Sequence, residues 1–224
     1  MGVSYTHLLF DHDGVLVNTE HLYLQAIQEQ LATLGIDLAE ADYLKGMAYG
    51  ADPWALARAA GCDEAAVDAL RDTRDAAYQR LLQANPIEIA GADEVVAELA
   101  RHFKLAIVTT SRDKDFDLIH GLNGYPVTER TPRLVEHMDF VLKRSHYQHS
   151  KPNPEPYLLA LNRFGIEPTQ ALVIEDSERG LRSAVAAGID CAAVSHPFTV
   201  SQNFDRARYR FANLNALRTF LLDQ

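Results

Sequence analysis

The sequence predicts a doubly wound α/β domain whose parallel sheet is covered on both faces, with an all-helical segment inserted after the first strand. Three observations carry this. Short, continuously apolar runs recur at residues 7–10 (HLLF), 104–109 (KLAIVT), 139–142 (DFVL) and 171–174 (ALVI), with a weaker fifth at 190–194 (DCAAV). Unbroken rather than alternating apolar character suits strands buried on both faces. Helical patterns separate the later runs, whereas residues 19–85 hold helical patterns and no strand-like run. Strands alternating with helices build a doubly wound sheet.

Each element has its own signal. In the insertion, Leu24, Ile27, Leu31 and Leu34 form a helical stripe ended by Gly35. Asp37 followed by Glu40 resembles a capping box, and Asp52-Pro53 reads as an N-cap with proline at the first helical position. Asp63 opens a further helix reaching about Gln83. Beyond it, residues 92–102 carry Val95, Val96 and Leu99 on one face. Residues 154–164 carry Tyr157, Leu158, Leu161 and Phe164, closed by Gly165, and residues 177–187 carry Leu181, Ala184 and Val185, closed by Gly188. Glycine just past a helix is the expected stop. The expected division is a sheet domain of residues 1–16 and 89–224 around a helical unit of residues 17–88.

Composition excludes several classes. The 224 residues suffice for one large domain with a sizeable core. The formal charge of −10, without a basic block, argues against nucleic acid. Cys62 and Cys191 stand alone, so neither a disulfide framework nor a zinc site is indicated. No apolar run is long enough for a membrane span and the N-terminus lacks a signal-peptide pattern. The expectation is a soluble, cytoplasmic protein, a monomer or weak homodimer, with no membrane partner.

In such a sheet, ligands gather at the carboxyl ends of the strands. There the sequence places Asp11 and Asp13 after the first run, Thr109, Thr110, Ser111 and Arg112 after the second, a loop holding Lys151 after the third, and Glu175-Asp176 after the fourth. Like charges at buried strand ends are costly unless a cation joins them. Carboxylate oxygens suit Mg²⁺, held by Asp11, Asp176 and the main-chain carbonyl of Asp13, with Glu175 acting through water or behind the ligands. One acid can then attack phosphorus, and a second can protonate the leaving oxygen and later deprotonate water. Thr109 suits a hydrogen bond to a phosphoryl oxygen and Lys151 its charge neutralisation. His12 falls between the two aspartates with its side chain directed to the opposite face, a structural position. His146 and His149 precede Lys151, but a hard-oxygen site does not favour imidazole.

The stretches FDHDGVLVNTE, IVTTS, SKPNPEPY and VIEDSERGLRSAVAAG resemble, in order and spacing, the four motifs of the haloacid dehalogenase-like (HAD) superfamily. The helical insertion matches in position the helical cap of its phosphoglycolate phosphatase and β-phosphoglucomutase group. The resemblance covers most of the chain. It implies a Rossmann-like core, Asp11 as nucleophile, Asp13 as general acid/base, Thr109 and Lys151 as phosphate holders, and Asp176 as metal ligand.

The cap is expected to set specificity. Its loop Leu44-Lys45-Gly46-Met47-Ala48-Tyr49 resembles the family's substrate loop, so Lys45, Gly46 and Tyr49 join Thr110, Ser111 and Arg112 as candidate substrate contacts. β-Phosphoglucomutase-like enzymes carry an arginine shortly after the cap glycine, where this chain has Tyr49 and Gly50. The expected activity is therefore a Mg²⁺-dependent phosphatase acting through an aspartyl-phosphate on a small phosphorylated metabolite, a sugar phosphate or related monoester. The alternatives are a phosphomutase of the β-phosphoglucomutase type and a catalytically silent binding protein on the same fold. Residues 120–138 form a long connection, expected to be a surface elaboration or contact segment away from the site, not a catalytic one.

Overall fold

The computed structural model describes residues 5–223. It divides into two compact units, one of Met1–Asn18 and Glu88–Gln224, the other of Thr19–Ile87.

The first unit is built on a six-stranded, wholly parallel sheet. Its strands are β1 (His7–Phe10), β2 (Lys104–Val108), β3 (Phe140–Leu142), β4 (Ala171–Glu175), β5 (Asp190–Val194) and β6 (Tyr209–Phe211), in the spatial order β3-β2-β1-β4-β5-β6. The five apolar runs of the sequence all become strands. From Leu8 to Phe10, from Leu105 to Val108 and throughout β4, every residue is buried, the signature of a sheet covered on both faces. Between the strands lie α5 (Ala92–Leu99), α6 (Asp113–His120), α7 (Glu155–Phe164) and α8 (Glu178–Ala186), with α9 (Leu214–Leu222) following β6. Ser177 caps α8 through its hydroxyl, which accepts from Gly180 N, and Gly165 ends α7 in the left-handed conformation. One core cluster joins Leu9, Val108, Tyr157, Leu161, Val173 and Leu181 across sheet and helices.

β1 lies at the centre, paired with β2 on one side and β4 on the other, with Phe10 in register with both Ile107 and Ile174. The chain moves outward from β1 to β3 and then crosses to β4, so the winding reverses at β1. A crevice forms at such a switch point, outside the carboxyl ends of the strands.

β6 and α9 escape the sequence reading. The edge strand Tyr209-Arg210-Phe211 is half exposed and only three residues long, so it lacks the continuous apolar run that marks the others. The segment 120–138 is a contact segment rather than a surface elaboration. It is not wholly superficial: Leu134 and Pro132 are buried, a short 3-10 turn at Leu134–His137 packs against α5, and Arg133 N donates to Asp93 Oδ2 at 3.2 Å.

The second unit comprises α1 (Glu20–Ala32), α2 (Glu40–Ala48), α3 (Ala55–Ala59) and α4 (Glu64–Ala84), with no strand among its residues. α1 packs on α4, burying Leu24, Ile27 and Leu31. Asp63 caps α4 as expected, its carboxylate accepting from Ala66 N at 2.8 Å. The Asp37–Glu40 box is not formed: α2 starts after Ala39, without a side-chain cap. Asp52 accepts from Trp54 N at 3.1 Å, but α3 begins only at Ala55, so the acid organises a turn ahead of the helix rather than its N-cap. No helix among the described residues is long and apolar enough to cross a membrane.

Candidate active site

Four loops at the carboxyl ends of β1 to β4 bring the acids, the hydroxyls and Lys151 together. The centre is a buried ion cluster. Lys151 Nζ donates to Asp11 Oδ1, to Glu175 Oε1 and to Val108 O, each at 2.7 Å. An ammonium has three protons, and all three are used. Lys151 therefore orients the Asp11 carboxylate, and it would reach a phosphate oxygen only by releasing one of these bonds. The Lys151–Pro152 peptide is cis.

Glu175 is fully buried and doubly held. Tyr157 OH also donates to its Oε1 at 2.7 Å, and Ser177 Oγ donates to Oε2 at 3.0 Å. Gly180 makes room for it: a Cβ there would lie 1.8 Å from Glu175 Oε1. The first turn of α8 can close over a carboxylate only because that position has no side chain. Gly14 does the same for Asp176. Its φ is +85°, and a Cβ would fall 2.2 Å from Asp176 Oδ2, which accepts from Thr199 Oγ1 at 3.0 Å.

The electrostatics follow from burial. Lack of solvation and the neighbouring Glu175 push Asp11 up to about 6, against the pull of Lys151. Burial disfavours the charge on Lys151, but the carboxylates of Asp11 and Glu175 outweigh it and hold its pKa above the ordinary value. Among Asp11, Glu175, Asp176 and Lys151, three anions face one cation. Each of the three acids offers an oxygen within 4.8 Å of the others. An all-oxygen donor set with excess negative charge, in a cradle that two glycines keep open, fits a hard divalent cation.

Asp13 lies at the rim of this cluster. Ser111 Oγ donates to its Oδ2 in a short bond, and Thr109 Oγ1 lies 3.4 Å from the same oxygen. Ser111 N donates to Thr109 Oγ1 at 2.9 Å, so the turn folds its hydroxyls toward Asp13. Thr110 is half-buried, its hydroxyl 3.4 Å from Arg179 Nη2, and Arg112 is exposed at the start of α6. His12 is fully buried, its Nε2 2.9 Å from Nε2 of His120 beside Phe116. His146 accepts from Lys143 N, and His149 pairs with Glu155, which caps its own loop through Gln148 N and His149 N. Lys45, Gly46 and Tyr49 belong to the helical unit, on α2 and at its C-cap. Lys45 and Tyr49 are exposed there.

Several participants escaped the sequence reading: Tyr147, Ser177, Gly180 and Thr199. Gly180 had a signal, since a glycine inside an amphipathic helix costs about 1 kcal/mol relative to alanine and marks a close approach. Thr199 had none, because it follows the weak fifth strand in a loop without regular pattern.

Comparison with known proteins agrees with this geometry. The family model described as haloacid dehalogenase-like hydrolase matches residues 8–194. The fructose-1-phosphate phosphatase YqaB of Escherichia coli is 29% identical over 197 residues, 85% of this chain and 96% of that protein. Protein CbbY of Rhodobacter capsulatus is 28% identical over 221 residues, 95% of each chain. The crystal structure of CbbY from Rhodobacter sphaeroides in complex with phosphate superposes with a TM-score of 0.75 at 25% identity, covering 95% of this chain and 96% of that one. With a buried acid–lysine cluster at the switch point of a parallel sheet and a family match across most of its length, the chain belongs to the haloacid dehalogenase-like hydrolases.

Proposed function

We propose that this hydrolase is a Mg²⁺-dependent phosphatase for a small phosphorylated metabolite of the sugar-phosphate class, acting through an aspartyl-phosphate on Asp11. The observation that carries the reading is the Asp11–Lys151–Glu175 cluster. It holds one carboxylate in a fixed direction at the mouth of the crevice, as a nucleophile requires. The activities of named relatives support the substrate class. Besides the fructose-1-phosphate phosphatase, an N-acetylmuramic acid 6-phosphate phosphatase of Pseudomonas putida is 27% identical over 193 residues.

Asp11, Asp176 and the main-chain carbonyl of Asp13 would hold Mg²⁺, with Glu175 buried behind them. The bound ion supplies charge neutralisation for the phosphoryl oxygens. Asp11 attacks phosphorus in line with the leaving oxygen. Asp13 protonates that oxygen and then takes a proton from the water that attacks the acyl-phosphate. Thr109, Thr110 and Ser111 hold the phosphoryl oxygens, and Lys151 keeps Asp11 aimed. Arg112, with Lys45, Gly46 and Tyr49 of the helical unit acting as a cap, is assigned to the leaving group on the family resemblance.

The test is phosphate release from an aryl phosphate and from a panel of sugar phosphates with MgCl₂, by wild type and Asp11→Asn. Release that depends on Mg²⁺ and disappears in the variant supports the reading. Interconversion of a hexose 1-phosphate and 6-phosphate without phosphate release would replace it with a phosphomutase. Absence of turnover on every ester would leave a binding protein.

A further inference from the structure

We infer that Tyr147 is a positioning residue that turns the Thr109–Thr110 peptide so that the Thr110 N–H faces the anion to be bound. The inference rests on the phosphatase reading above and adds a role for a residue outside the four family motifs.

Tyr147 lies in the loop between β3 and α7, four residues before Lys151, and is 5% exposed. Its hydroxyl donates to Thr109 O at 2.6 Å. Burial pushes its phenol up to about 12, so the ring keeps its proton and the donor is permanent at neutral pH. A trans peptide is planar, with C=O and N–H on opposite edges. Fixing the Thr109 carbonyl toward the buried phenol turns the Thr110 N–H the other way. No group among the described residues accepts from that N–H. With no protein acceptor, that N–H is left for a ligand or water to take. It follows directly on Thr109, whose hydroxyl faces Asp13, and precedes Ser111, which does the same. An amide fixed in advance at that point is a donor for a phosphoryl oxygen, and it carries no reorganisation cost when the charge develops.

The surrounding loop supports this use. Lys151 Nζ donates to Val108 O at 2.7 Å, and Arg144 N donates to Ser111 O at 3.2 Å. One segment, residues 144–151, therefore fastens the carbonyls of Val108, Thr109 and Ser111. Arg144 secures the tyrosine in turn. Its Nη1 donates to Tyr147 O at 2.8 Å and its guanidinium lies 5.6 Å from the ring centroid.

The experiment uses Tyr147→Phe, which keeps the ring and removes only the hydroxyl, with inorganic phosphate and MgCl₂ as the probe. In ¹H–¹⁵N spectra of the wild type, the Thr110 amide shifts on phosphate addition. In Tyr147→Phe that shift shrinks, the phosphate dissociation constant rises roughly tenfold, and kcat/KM falls by at least as much, the scale of one lost hydrogen bond in a dry site. A variant with a lowered melting temperature but an unchanged phosphate constant would show a merely structural tyrosine and overturn the inference. A wild-type Thr110 amide that ignores phosphate would overturn it without any variant. Because binding is read apart from turnover, a wild type that shifts at Thr110 yet hydrolyses no ester would sink the phosphatase reading and leave the positioning role standing.

Discussion

Gly180→Ala adds one methyl group to the wall of the ion cluster. The new Cβ would stand 1.8 Å from Glu175 Oε1, 1.9 Å from Cδ and 2.1 Å from Oε2, all atoms of one carboxylate. Ordinary contact distances require that carboxylate to retreat by about 1.5 Å. Its bonds to Lys151 and Tyr157, each 2.7 Å long, would then exceed hydrogen-bonding range. Losing two charge-assisted hydrogen bonds, one from an ammonium and one from a phenol, at a fully buried anion costs about 3–5 kcal/mol. For a domain of this size that lowers the melting temperature by roughly 6–20 °C. Gly165→Ala is the control: its φ is +69° and nothing lies within 4 Å of the added Cβ, so only backbone strain of about 1 kcal/mol is expected. Differential scanning calorimetry of the two variants at pH 7 makes the comparison. A Gly180→Ala protein melting within about 2 °C of the control would refute the claim that glycine there is required by the approach of Glu175.

Lys151→Met leaves Asp11 and Glu175 buried without their cation and is expected to lower stability by about 3–5 kcal/mol, read from the urea midpoint. A loss under about 1 kcal/mol, the scale of an exposed pair, would show that the cluster is not buried as described. Asp11, raised to about 6 by burial and Glu175, binds its proton more tightly folded than unfolded. Its contribution is thus complete below about pH 4 and is lost as pH rises through 6, a change of up to about 3 kcal/mol in metal-free protein. On the proposed metal assignment Mg²⁺ would take the proton's place, so MgCl₂ should raise the melting temperature more at pH 7 than at pH 5, and equal shifts would contradict that assignment. His120 has the opposite sign. Burial, then the neighbouring His12, lower it to about 3, so its contribution is present above about pH 6.5 and is lost as pH falls toward 3. Acid unfolding of His120→Gln, compared with wild type, should start from lower stability at pH 7 and decline less below pH 6.5; parallel curves would show a solvated imidazole.

Much of the site was legible in the chain because the chemistry sits where apolar runs end. Leu8-Leu9-Phe10, Ala106-Ile107-Val108 and Val173-Ile174 can only be interior strands, and the polar residues that follow each run must then emerge at one edge of the sheet. That rule alone gathered Asp11, Asp13, Thr109 and Glu175-Asp176, whereas Lys151 lies nine residues beyond β3 and was marked by the stretch SKPNPEPY. Edge strand β6 and the non-capping Asp37 were not legible, since a short half-exposed strand and an acid near a helix start have many equivalent outcomes.

The sequence by itself determined the parallel sheet, the helical unit between its first two strands and the set of acids, because periodicity and strand ends are local properties. Only the tertiary structure decided what those acids touch. Lys151 spends its three protons on Asp11, Glu175 and a carbonyl, Gly14 and Gly180 are bare because carboxylates press on them, and Tyr147 reaches back to Thr109. Tyr147 and Thr109 are 38 positions apart in the chain, and Lys151 and Asp11 are 140 apart. No local pattern encodes such contacts; they exist because the sheet brings distant loops to one edge, where burial makes each unpaired charge costly.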